Sequence, residues 1–411
     1  MDAWRLDRRL LISSDRVGYK PCLTCCFSHI YPPNWNVPIF KRKLWFFWTL
    51  WAYTRQVKLL WNVPIASKGM KKTSPTIQDI AVAAGVSKST VSLVLQNSPS
   101  IKLDTATKVR EAVVALGYVY NQGAAMLRGK RSTTIGMVIN DLTNPFFVEL
   151  LVAIERVLAR SGYTTLMAHT AENADTQARV LQSMREQNVA GLIVSPALGT
   201  PTELATEIQS WDIPLVLVMR PLGDDVDTVG VDNRVGFSLA TEHLIEQGHT
   251  RIAFIGTRTG SVVANQRIAG YMATMQKHAL PAPPHWLIDV ELTPNGGREA
   301  VRTLYAMRQR PTAVVCYNDQ VAIGVLHELD TMGKRAGQAL AVVGCDNIMA
   351  AEHTNPPLTT LAVGADKLGT IASEILLKRL NSAAQIRPSP VQHFGTPQLI
   401  VRESSIGAKP G

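Results

Sequence analysis

The chain has 411 residues, of which 46% are hydrophobic and 18% are charged, a balance typical of two or three globular domains, and its five cysteines are too few for a disulfide scaffold. The net charge of +10 is concentrated near the beginning: residues 1–69 carry 11 basic against 3 acidic side chains, residues 70–130 carry 8 against 3, and residues 131–411 carry 23 against 26. This asymmetry favours a polyanion-binding front part on a near-neutral body, although a solvated basic face is the simpler alternative.

The first 69 residues differ from the rest of the chain in composition and in hydrophobic periodicity. Six of the eight tryptophans fall there, without a sustained helical period or strand alternation. The most apolar stretch, LWFFWTLWAY at 44–53, is shorter than the about 20 residues of a membrane span. No signal-peptide pattern opens the chain. We therefore expect a cytoplasmic protein without a membrane partner.

One group of side chains in this part is loosely spaced like zinc ligands, namely Cys22, Cys25, Cys26 and His29. No second pair of ligands follows, so the spacing does not predict a metal site. Cys316 and Cys345 lie within apolar runs and are predicted to be buried thiols. We expect neither a metal nor a cofactor.

The composition and the hydrophobic pattern change at Met70. This residue is followed by KKTSPTIQDIAVAAGV, a normal start for a small basic domain. We interpret residues 1–69 as an extension outside the native fold, encoded by DNA that precedes a physiological start at Met70. A tryptophan-rich accessory segment is the alternative.

Residues 76–97, TIQDIAVAAGVSKSTVSLVLQN, predict a helix–turn–helix. Thr76 caps a first helix that carries Asp79 in its first turn, and Gly85 supplies the turn. Ser87 caps a second helix, and a third fits 104–116. The second helix turns an apolar face inward and is predicted to leave four polar side chains exposed, Lys88, Ser89, Thr90 and Ser92. Such a helix suits the DNA major groove; a generic three-helix bundle is the alternative.

The segments TIQDIAVAAGVSKSTVSLVL and TATKVREAVVALGYVYNQGAAMLRG resemble the headpiece of the lactose-repressor/galactose-repressor (LacI/GalR) family of transcription factors, and the resemblance extends over residues 76–403. It implies a headpiece over 70–120 and a hinge helix within 121–131 that forms on DNA. Lys88 and Ser89 would read bases, and Leu127 would be wedged into the central base step, which kinks the duplex. Gly123 weakens the hinge helix. The DNA-contacting residues implied are Thr76, Ser87, Lys88, Ser89, Thr90, Ser92, Asn121, Ala124 and Leu127.

From Thr133 onward, short apolar runs alternate with helical patterns, which predicts an α/β body of parallel sheets wrapped by helices. The predicted strands are 135–140, 164–168, 191–195, 215–219, 252–255, 313–317 and 341–344. The predicted helices include 147–161, 176–187, 235–247 and 320–332. Ligands of such sheets bind beyond the carboxyl ends of the strands.

The resemblance implies that residues 132–403 form a two-lobed, doubly wound body similar to the periplasmic sugar-binding proteins of type I. The chain would cross between lobes near Val231, Ala362 and Gln392. The first lobe would then hold about 132–231 and 363–391, and the second 232–362 and 392–403. The body leans toward the branch of the maltose-regulon repressor, through DDVDTVGVDN and AVVCYND.

Polar residues stand at the predicted strand ends and helix starts, and an aromatic residue accompanies them. Each alone is as well explained by a helix cap or a turn, but together they favour a cleft for a small molecule. The resemblance assigns effector contacts to Asp141, Phe147, Arg220, Arg267, Asn318 and Asp346. The effector would be a sugar, a sugar phosphate or a nucleobase-like molecule. His243 and His249 are predicted to be surface residues.

No catalytic motif is found: the chain has no nucleophile elbow, no HExxH and no phosphate loop. The sequence therefore predicts a dimeric, effector-responsive repressor of operator DNA rather than an enzyme. A periplasmic-type sugar-binding transport protein is the alternative, but it leaves the helix–turn–helix unexplained.

The pentapeptide WNVPI occurs at 35–39 and again at 61–65, which is 61 − 35 = 26 positions later. Trp-Asn-Val-Pro can be encoded by TGGAACGTTCCA, a palindrome with CG at its centre. Dimeric helix–turn–helix proteins bind two-fold sites, and pyrimidine–purine steps such as CG kink easily. One hypothesis is that the two copies are operators of this protein, read as codons; a duplicated peptide and chance are the alternatives.

Overall fold

The computed structural model describes residues 75–95, 98–118, 132–382 and 389–407. The chain divides into two compact units, Met1–Val119 and Tyr120–Gly411. The interpretation of residues 1–69 falls outside the described residues, and so do the predicted hinge residues Asn121, Ala124 and Leu127.

The first unit contains the predicted three helices, α1 (Ile77–Ala84), α2 (Lys88–Leu95) and α3 (Leu103–Leu116). Thr76 and Asp79 form a reciprocal capping box at the start of α1, and Gly85 ends that helix at a φ of 64°, a conformation that glycine adopts without strain. The helices enclose a small core that includes Ile80, Val91, Val94 and Val109. The predicted helix–turn–helix is confirmed.

The second unit contains two six-stranded sheets. The first sheet has the order β11-β5-β4-β3-β1-β2, with all strands parallel. Its strands are β1 (Thr134–Ile139), β2 (Thr164–His169), β3 (Gly191–Val194), β4 (Leu215–Val218), β5 (Asp227–Val231) and β11 (Gln392–Gly395). The central strands β3, β4 and β5 are buried throughout, because helices cover both faces of a parallel sheet.

The second sheet has the order β12-β10-β9-β8-β6-β7, and only its edge strand β12 runs antiparallel among the strands described. Its strands are β6 (Ile252–Ile255), β7 (Leu287–Ile288), β8 (Ala313–Cys316), β9 (Ala341–Asp346), β10 (Thr359–Ala362) and β12 (Gln398–Ile400). Cys316 and Cys345 are buried in this sheet as free thiols, as predicted.

Nine α-helices accompany the sheets in the described part of the body. They are α4 (Pro145–Arg160), α5 (Ala174–Glu186), α6 (Glu203–Ser210), α7 (Asn233–Glu246), α8 (Val262–Lys277), α9 (Pro294–Tyr305), α10 (Asp319–Thr331), α11 (Met349–Glu352) and α12 (Ala365–Asn381). Helices α4 and α12 pack together on the first sheet. Helix α8 lies against α7 so closely that the backbone of Gly270 leaves no room for a Cβ atom beside Arg234.

The chain passes between the two sheets three times. The first two crossings follow Val231 and Ala362, where they were expected. The third differs from the prediction near Gln392, because Gln392–Gly395 pairs with β5 of the first sheet and the chain crosses only before Gln398. Pro397 lacks the N–H that a further ladder bond needs, which explains why β11 ends there. The predicted lobe boundary at 391/392 is therefore wrong by a few residues.

The two histidines expected at the surface are buried. His243 is 7% exposed and His249 is 1% exposed. The Nε2 atom of His243 lies 2.8 Å from the Ser405 hydroxyl, and Nδ1 of His249 lies 2.9 Å from that of Thr312. Burial lowers the pKa of both imidazoles. Hydroxyl partners from distant segments made this burial possible, and the local sequence does not reveal them.

Candidate functional site

The first candidate surface is the N-terminal end of α2. Ser87, Lys88 and Ser89 are exposed there, and α2 has no acidic residue in its first turn. The Ser87 Oγ accepts a hydrogen bond of 3.1 Å from the Thr90 backbone N–H, so Ser87 caps the helix as predicted. The start of a helix with exposed hydroxyls and one ammonium group suits contacts with phosphates and base edges.

Two residues predicted to be exposed on α2 are partly covered. Thr90 and Ser92 are half-buried, because they flank Val91, which is fully buried against the other helices. The Thr90 hydroxyl also lies 2.8 Å from that of Ser87. Thr76 is exposed, but its hydroxyl donates to the Asp79 carboxylate at 2.8 Å. In this structure Thr76 therefore serves as the N-cap of α1.

The second candidate surface is a cleft in the body, whose empty space of about 500 Å³ is partly open to solvent. All six predicted effector residues line it. Asp141, Phe147 and Arg220 come from the first lobe, following β1, on α4 and following β4. Arg267, Asn318 and Asp346 come from the second, on α8, following β8 and at the end of β9. The cleft thus lies beyond the carboxyl ends of both sheets, as the alternation of elements predicted.

Arg220 is engaged inside the first lobe by a carboxylate that the sequence did not single out. Its guanidinium donates two hydrogen bonds of 2.6 Å to Glu172 and one of 2.8 Å to the Pro196 carbonyl. Both side chains are only 13% exposed. Burial alone would raise the pKa of Glu172, but the Arg220 guanidinium holds it below its ordinary value. The pair is therefore ionised and mutually neutralised.

The other donors around Glu172 complete its coordination. Asn140 donates its amide N–H to one carboxylate oxygen at 2.9 Å, and the Leu198 backbone N–H donates to the other at 2.8 Å. Arg258, from the second lobe, lies 4.0 Å away with 31% of its side chain exposed. Glu172 thus anchors the first-lobe wall of the cleft.

Arg267 is buried at 3% exposure and has partners within the second lobe. Its Nε donates to the Asn233 side chain at 2.9 Å, and one terminal nitrogen donates to the Tyr317 carbonyl. The guanidinium also lies 4.2 Å above the Tyr317 ring and 5.2 Å above that of Phe237, a cation–π arrangement. Arg267 therefore holds the cleft wall in shape as well as lining it.

Asp346 joins the two lobes. The side-chain amide of Asn144, in the first lobe, donates to its carboxylate at 2.7 Å. A second bond across the cleft runs from the Gln320 amide to the Thr143 carbonyl at 3.1 Å. Burial raises the pKa of Asp346 to about 6, although Arg267 and Asn144 act in the opposite direction. The lobes are thus held together at a carboxyl group that ionises near neutral pH.

The remaining predicted residues also have local roles. Asn318 caps α10 by accepting from the Val321 N–H at 3.0 Å. Asp141 accepts from the backbone N–H and the hydroxyl of Thr143 at 2.8 and 2.6 Å. Phe147 packs edge-on against Phe146, with ring centroids 5.3 Å apart. These positions are therefore caps and turns, and they also converge on one cleft.

Both parts of this architecture match domains of known proteins. Residues 76–121 match the bacterial regulatory proteins of the lacI family, and residues 241–405 match the periplasmic binding protein-like domain. The chain is similar to the maltose regulon regulatory protein MalI of Escherichia coli K12, with 36% identity over 317 residues, covering 74% of this chain and 92% of that protein. It is also 31% identical to the transcriptional repressor PurR of Vibrio vulnificus, covering 80% and 98%.

The chain belongs to the LacI family. A similar fold occurs in the lac repressor dimer bound to operator and the anti-inducer ONPF, with a TM-score of 0.72, 24% identity and coverage of 82% and 100%. The transcriptional regulator CelR in complex with cellobiose is 27% identical, with a TM-score of 0.61 and coverage of 80% and 99%. The expected LacI-type fold, a helix–turn–helix headpiece and a two-sheet α/β body, is confirmed. The named relatives are transcriptional regulators rather than enzymes.

The cleft of this LacI-family chain contains residues that sequence reasoning missed. They are Asn140, Asn144, Phe146, Glu172, Met219, Arg258, Val263, Leu292 and Tyr317. Asn140 and Tyr317 directly follow strands, so their position alone could have indicated them. Glu172 is the third residue after β2 and gave no such signal.

Unusual backbone conformations are concentrated at this cleft. Among the described residues, eight other than glycine have a positive φ. Three of them line the cleft, Glu172 at 58°, Met219 at 66° and Asp346 at 115°, and Ala171 and Asn347 adjoin them. Such conformations cost energy and are frequent at ligand sites. The concentration supports a binding role for the cleft.

No group of three or more histidine, cysteine, aspartate or glutamate side chains in 75–95, 98–118, 132–382 and 389–407 is arranged to hold a metal ion. Over the same ranges, no helix combines the length and apolarity that crossing a membrane requires.

Proposed function

We propose that this LacI-family protein is a cytoplasmic repressor that binds palindromic operator DNA as a homodimer and responds to a small effector. The observation that carries the proposal is that one chain joins a helix–turn–helix to a cleft lined by all six predicted effector residues. The cleft supplies the sensing site, and the headpiece supplies the site that responds.

On the DNA side, α2 enters the major groove. Lys88 and Ser89 read base edges, while Ser87 and Thr90 support the helix start and meet the phosphate backbone. Leu127, if it is wedged into the central step as the family resemblance implies, adds a kink that favours deformable sequences. Binding weakens steeply with salt because each ammonium contact with a phosphate releases counterions.

On the effector side, the cleft favours an uncharged ligand. Arg220 is neutralised by Glu172, and Arg267 is occupied by Asn233 and Tyr317. Polar groups remain to meet hydroxyls or ring nitrogens, and Phe147 and Tyr317 supply apolar faces. Of the three expected classes, this favours a sugar or a nucleobase-like molecule over a sugar phosphate. The cellobiose complex of the similar regulator CelR is in keeping with this preference.

The effector acts by shifting a population of lobe arrangements. The bonds from Asn144 to Asp346 and from Gln320 to Thr143 link the two lobes in the arrangement that this structure shows. A ligand with different contacts in the open and closed arrangements changes their ratio. The alternative, a sugar-binding transport protein, agrees with the match at residues 241–405, but it leaves the headpiece without a function.

One experiment tests both halves. The purified protein selects duplexes from a random pool, and compounds of the three ligand classes are then screened for a rise in Tm. We expect a palindromic consensus and at least one uncharged ligand that changes the Kd for that consensus. The substitution Arg258→Ala should weaken binding of the ligand. Arg308→Ala, which lies outside the cleft lining, serves as the control. Selection of no palindrome, or a ligand that leaves DNA affinity unchanged, would contradict the proposal.

A further inference from the structure

Both copies of the repeated pentapeptide WNVPI lie outside the described residues. A structural repeat forms a supersecondary unit of about 20–50 residues, yet similarity between the copies stops after five. The first copy is flanked by PPN and FKR, and the second by KLL and ASK. Five residues are too short for such a unit, so the repeat does not have the form of a structural repeat.

One possible DNA spelling of the repeat is a palindrome. The reverse complement of the tryptophan codon TGG is the proline codon CCA, and that of the asparagine codon AAC is the valine codon GTT. The fifth residue fits the same symmetry. With ATT for Ile39 and AAT for Asn34, the palindrome spans all six codons of 34–39, AATTGGAACGTTCCAATT. Around the second copy, Leu60 and Ile65 extend it by one base on each side, to TTGGAACGTTCCAA.

We propose that the DNA encoding residues 35–38 and 61–64 contains two operators of this protein, with the shared core TTGGAACGTTCCAA, and that it represses its own gene through them. This inference rests on the proposed function, because only a dimeric DNA-binding protein requires a two-fold site. The partner is a specific duplex sequence, and the regulation is negative feedback.

The headpiece suits this sequence. Each half-site presents two adjacent guanines, whose O6 and N7 atoms are preferred acceptors for a basic side chain in the major groove. Lys88 stands exposed at the start of α2, where such a contact is made. The central CG is a pyrimidine–purine step, which tolerates kinking. The apolar wedge proposed for Leu127 needs that property.

The spacing indicates that the operators act independently. The copies are 26 codons apart, or about 78 base pairs, which is roughly 7.4 turns at about 10.5 base pairs per turn. Two bound dimers would then face different sides of the duplex. DNA of this length is shorter than its persistence length of about 150 base pairs, so bridging the two sites would require both twisting and bending.

The nucleotide sequence of the gene is the first test. We expect TGGAACGTTCCA over both copies, with T before and A after it. Any other spelling in either copy overturns the proposal, because the amino-acid repeat would then have no palindrome beneath it.

Binding is the second test, with the full-length protein and fluorescent duplexes at about 0.15 M salt. We expect the duplex carrying TTGGAACGTTCCAA to bind about 10³-fold more tightly than a scrambled duplex. The matched duplex TTGGAAGCTTCCAA keeps two-fold symmetry and composition but exchanges the central step, and should bind at least about 10-fold more weakly than the operator. The fragment with both copies should shift in two steps with similar midpoints.

The outcomes separate this inference from the proposed function. If selection from a random pool yields a different palindrome and TTGGAACGTTCCAA binds no better than the scrambled duplex, the operator assignment fails while the repressor role stands. If no duplex is selected at all, the repressor role itself fails. A reporter driven by the native fragment should fall several-fold when the protein is supplied, and an unchanged reporter overturns autoregulation.

Discussion

Glu172 and Arg220 show how a single pair of residues sets the chemistry of the cleft. The carboxylate is bound by a guanidinium, an amide and a backbone N–H, so it stays ionised although it is largely buried. An arginine in a ligand cleft is usually interpreted as an anion site. Here the charge of Arg220 is already balanced inside the first lobe, and this favours an uncharged effector.

The substitution Glu172→Gln should change that selectivity. Arg220 would remain charged without a balancing carboxylate, so we expect inorganic phosphate to raise the Tm of the variant and not that of the unaltered protein. Breaking a buried pair costs about 3 kcal/mol in unfolding free energy, measured by denaturant titration. Glu207→Gln on exposed α6 is the control. A phosphate response of equal size in both proteins would contradict the assignment.

The raised pKa of Asp346 predicts that the stability of the protein depends on pH. Its folded pKa of about 6 lies above the ordinary value of 3.8, so the folded state binds this proton more tightly than the unfolded state. The contribution of the group to stability is therefore full below about pH 4 and is lost as the pH rises to about 6. The loss amounts to about 3 kcal/mol, since each pKa unit corresponds to about 1.4 kcal/mol.

The variant Asp346→Asn keeps an oxygen acceptor for Asn144 but cannot ionise. We expect the difference in unfolding free energy between variant and unaltered protein to change between pH 4 and 6, and to be constant above pH 7. Chemical denaturation at closely spaced pH values measures it. A pH-independent difference would show that Asp346 does not titrate in this range.

At the scale of elements, α2 combines two requirements in eight residues. One face buries Val91 and Val94 in the headpiece core, while the first turn presents Lys88 and Ser89 to solvent. The glycine that ends α1 and the Ser87 cap fix where α2 begins. A helix held in this way loses little conformational freedom on binding, so its side chains can distinguish bases.

Lys88→Ala should therefore weaken specific binding more than non-specific binding. We expect a loss of about 1–3 kcal/mol on the selected operator and a smaller loss on random DNA, measured by fluorescence anisotropy over a series of salt concentrations. Lys108→Ala is a matched control, because Lys108 pairs with Asp104 at 2.9 Å on α3. Equal losses on both duplexes would assign Lys88 to a phosphate contact instead.

At the scale of the whole body, the two lobes are linked by three chain crossings and by hydrogen bonds across the cleft. Asn144 makes one bond within its own lobe and one across the cleft, because it caps α4 by accepting from the Phe146 N–H at 3.1 Å and donates to Asp346. Opening the lobes breaks the second bond and leaves the first intact. The free-energy difference between lobe arrangements is therefore sensitive to this residue.

Asn144→Asp tests this link. The new carboxylate can still cap α4, but it faces Asp346 and replaces a donor with an acceptor. As the pH rises and both facing carboxyls ionise, their repulsion should separate the lobes, and we expect a larger radius of gyration in solution scattering and an effector affinity lower by about 1–3 kcal/mol. Asn173→Asp, the same change at the cap of α5, should leave both unchanged. An unchanged radius of gyration in the Asn144→Asp variant would contradict the role of Asn144 in linking the lobes.

The sequence alone determined the features that depend on local physics. Capping residues, a turn glycine and apolar periodicity located the three headpiece helices. Alternating strand and helix patterns placed polar residues at strand ends and helix starts, and the family resemblance singled out the six effector candidates. Because carboxyl ends of parallel strands share one edge, those candidates had to converge. Short strands such as β11 and β12 were not predicted, since edge strands are stabilised by their neighbours rather than by their own composition.

Only the tertiary structure decided which partners those side chains have. Glu172 reaches Arg220 across 48 positions and Asn144 reaches Asp346 across 202, and no local pattern encodes such pairs. The burial of His243 and His249 and the crossing after Gly395 have the same origin. Whether a charged group is free, neutralised or shifted in pKa depends on what the fold brings within about 4 Å of it, and that distance is a property of the folded chain.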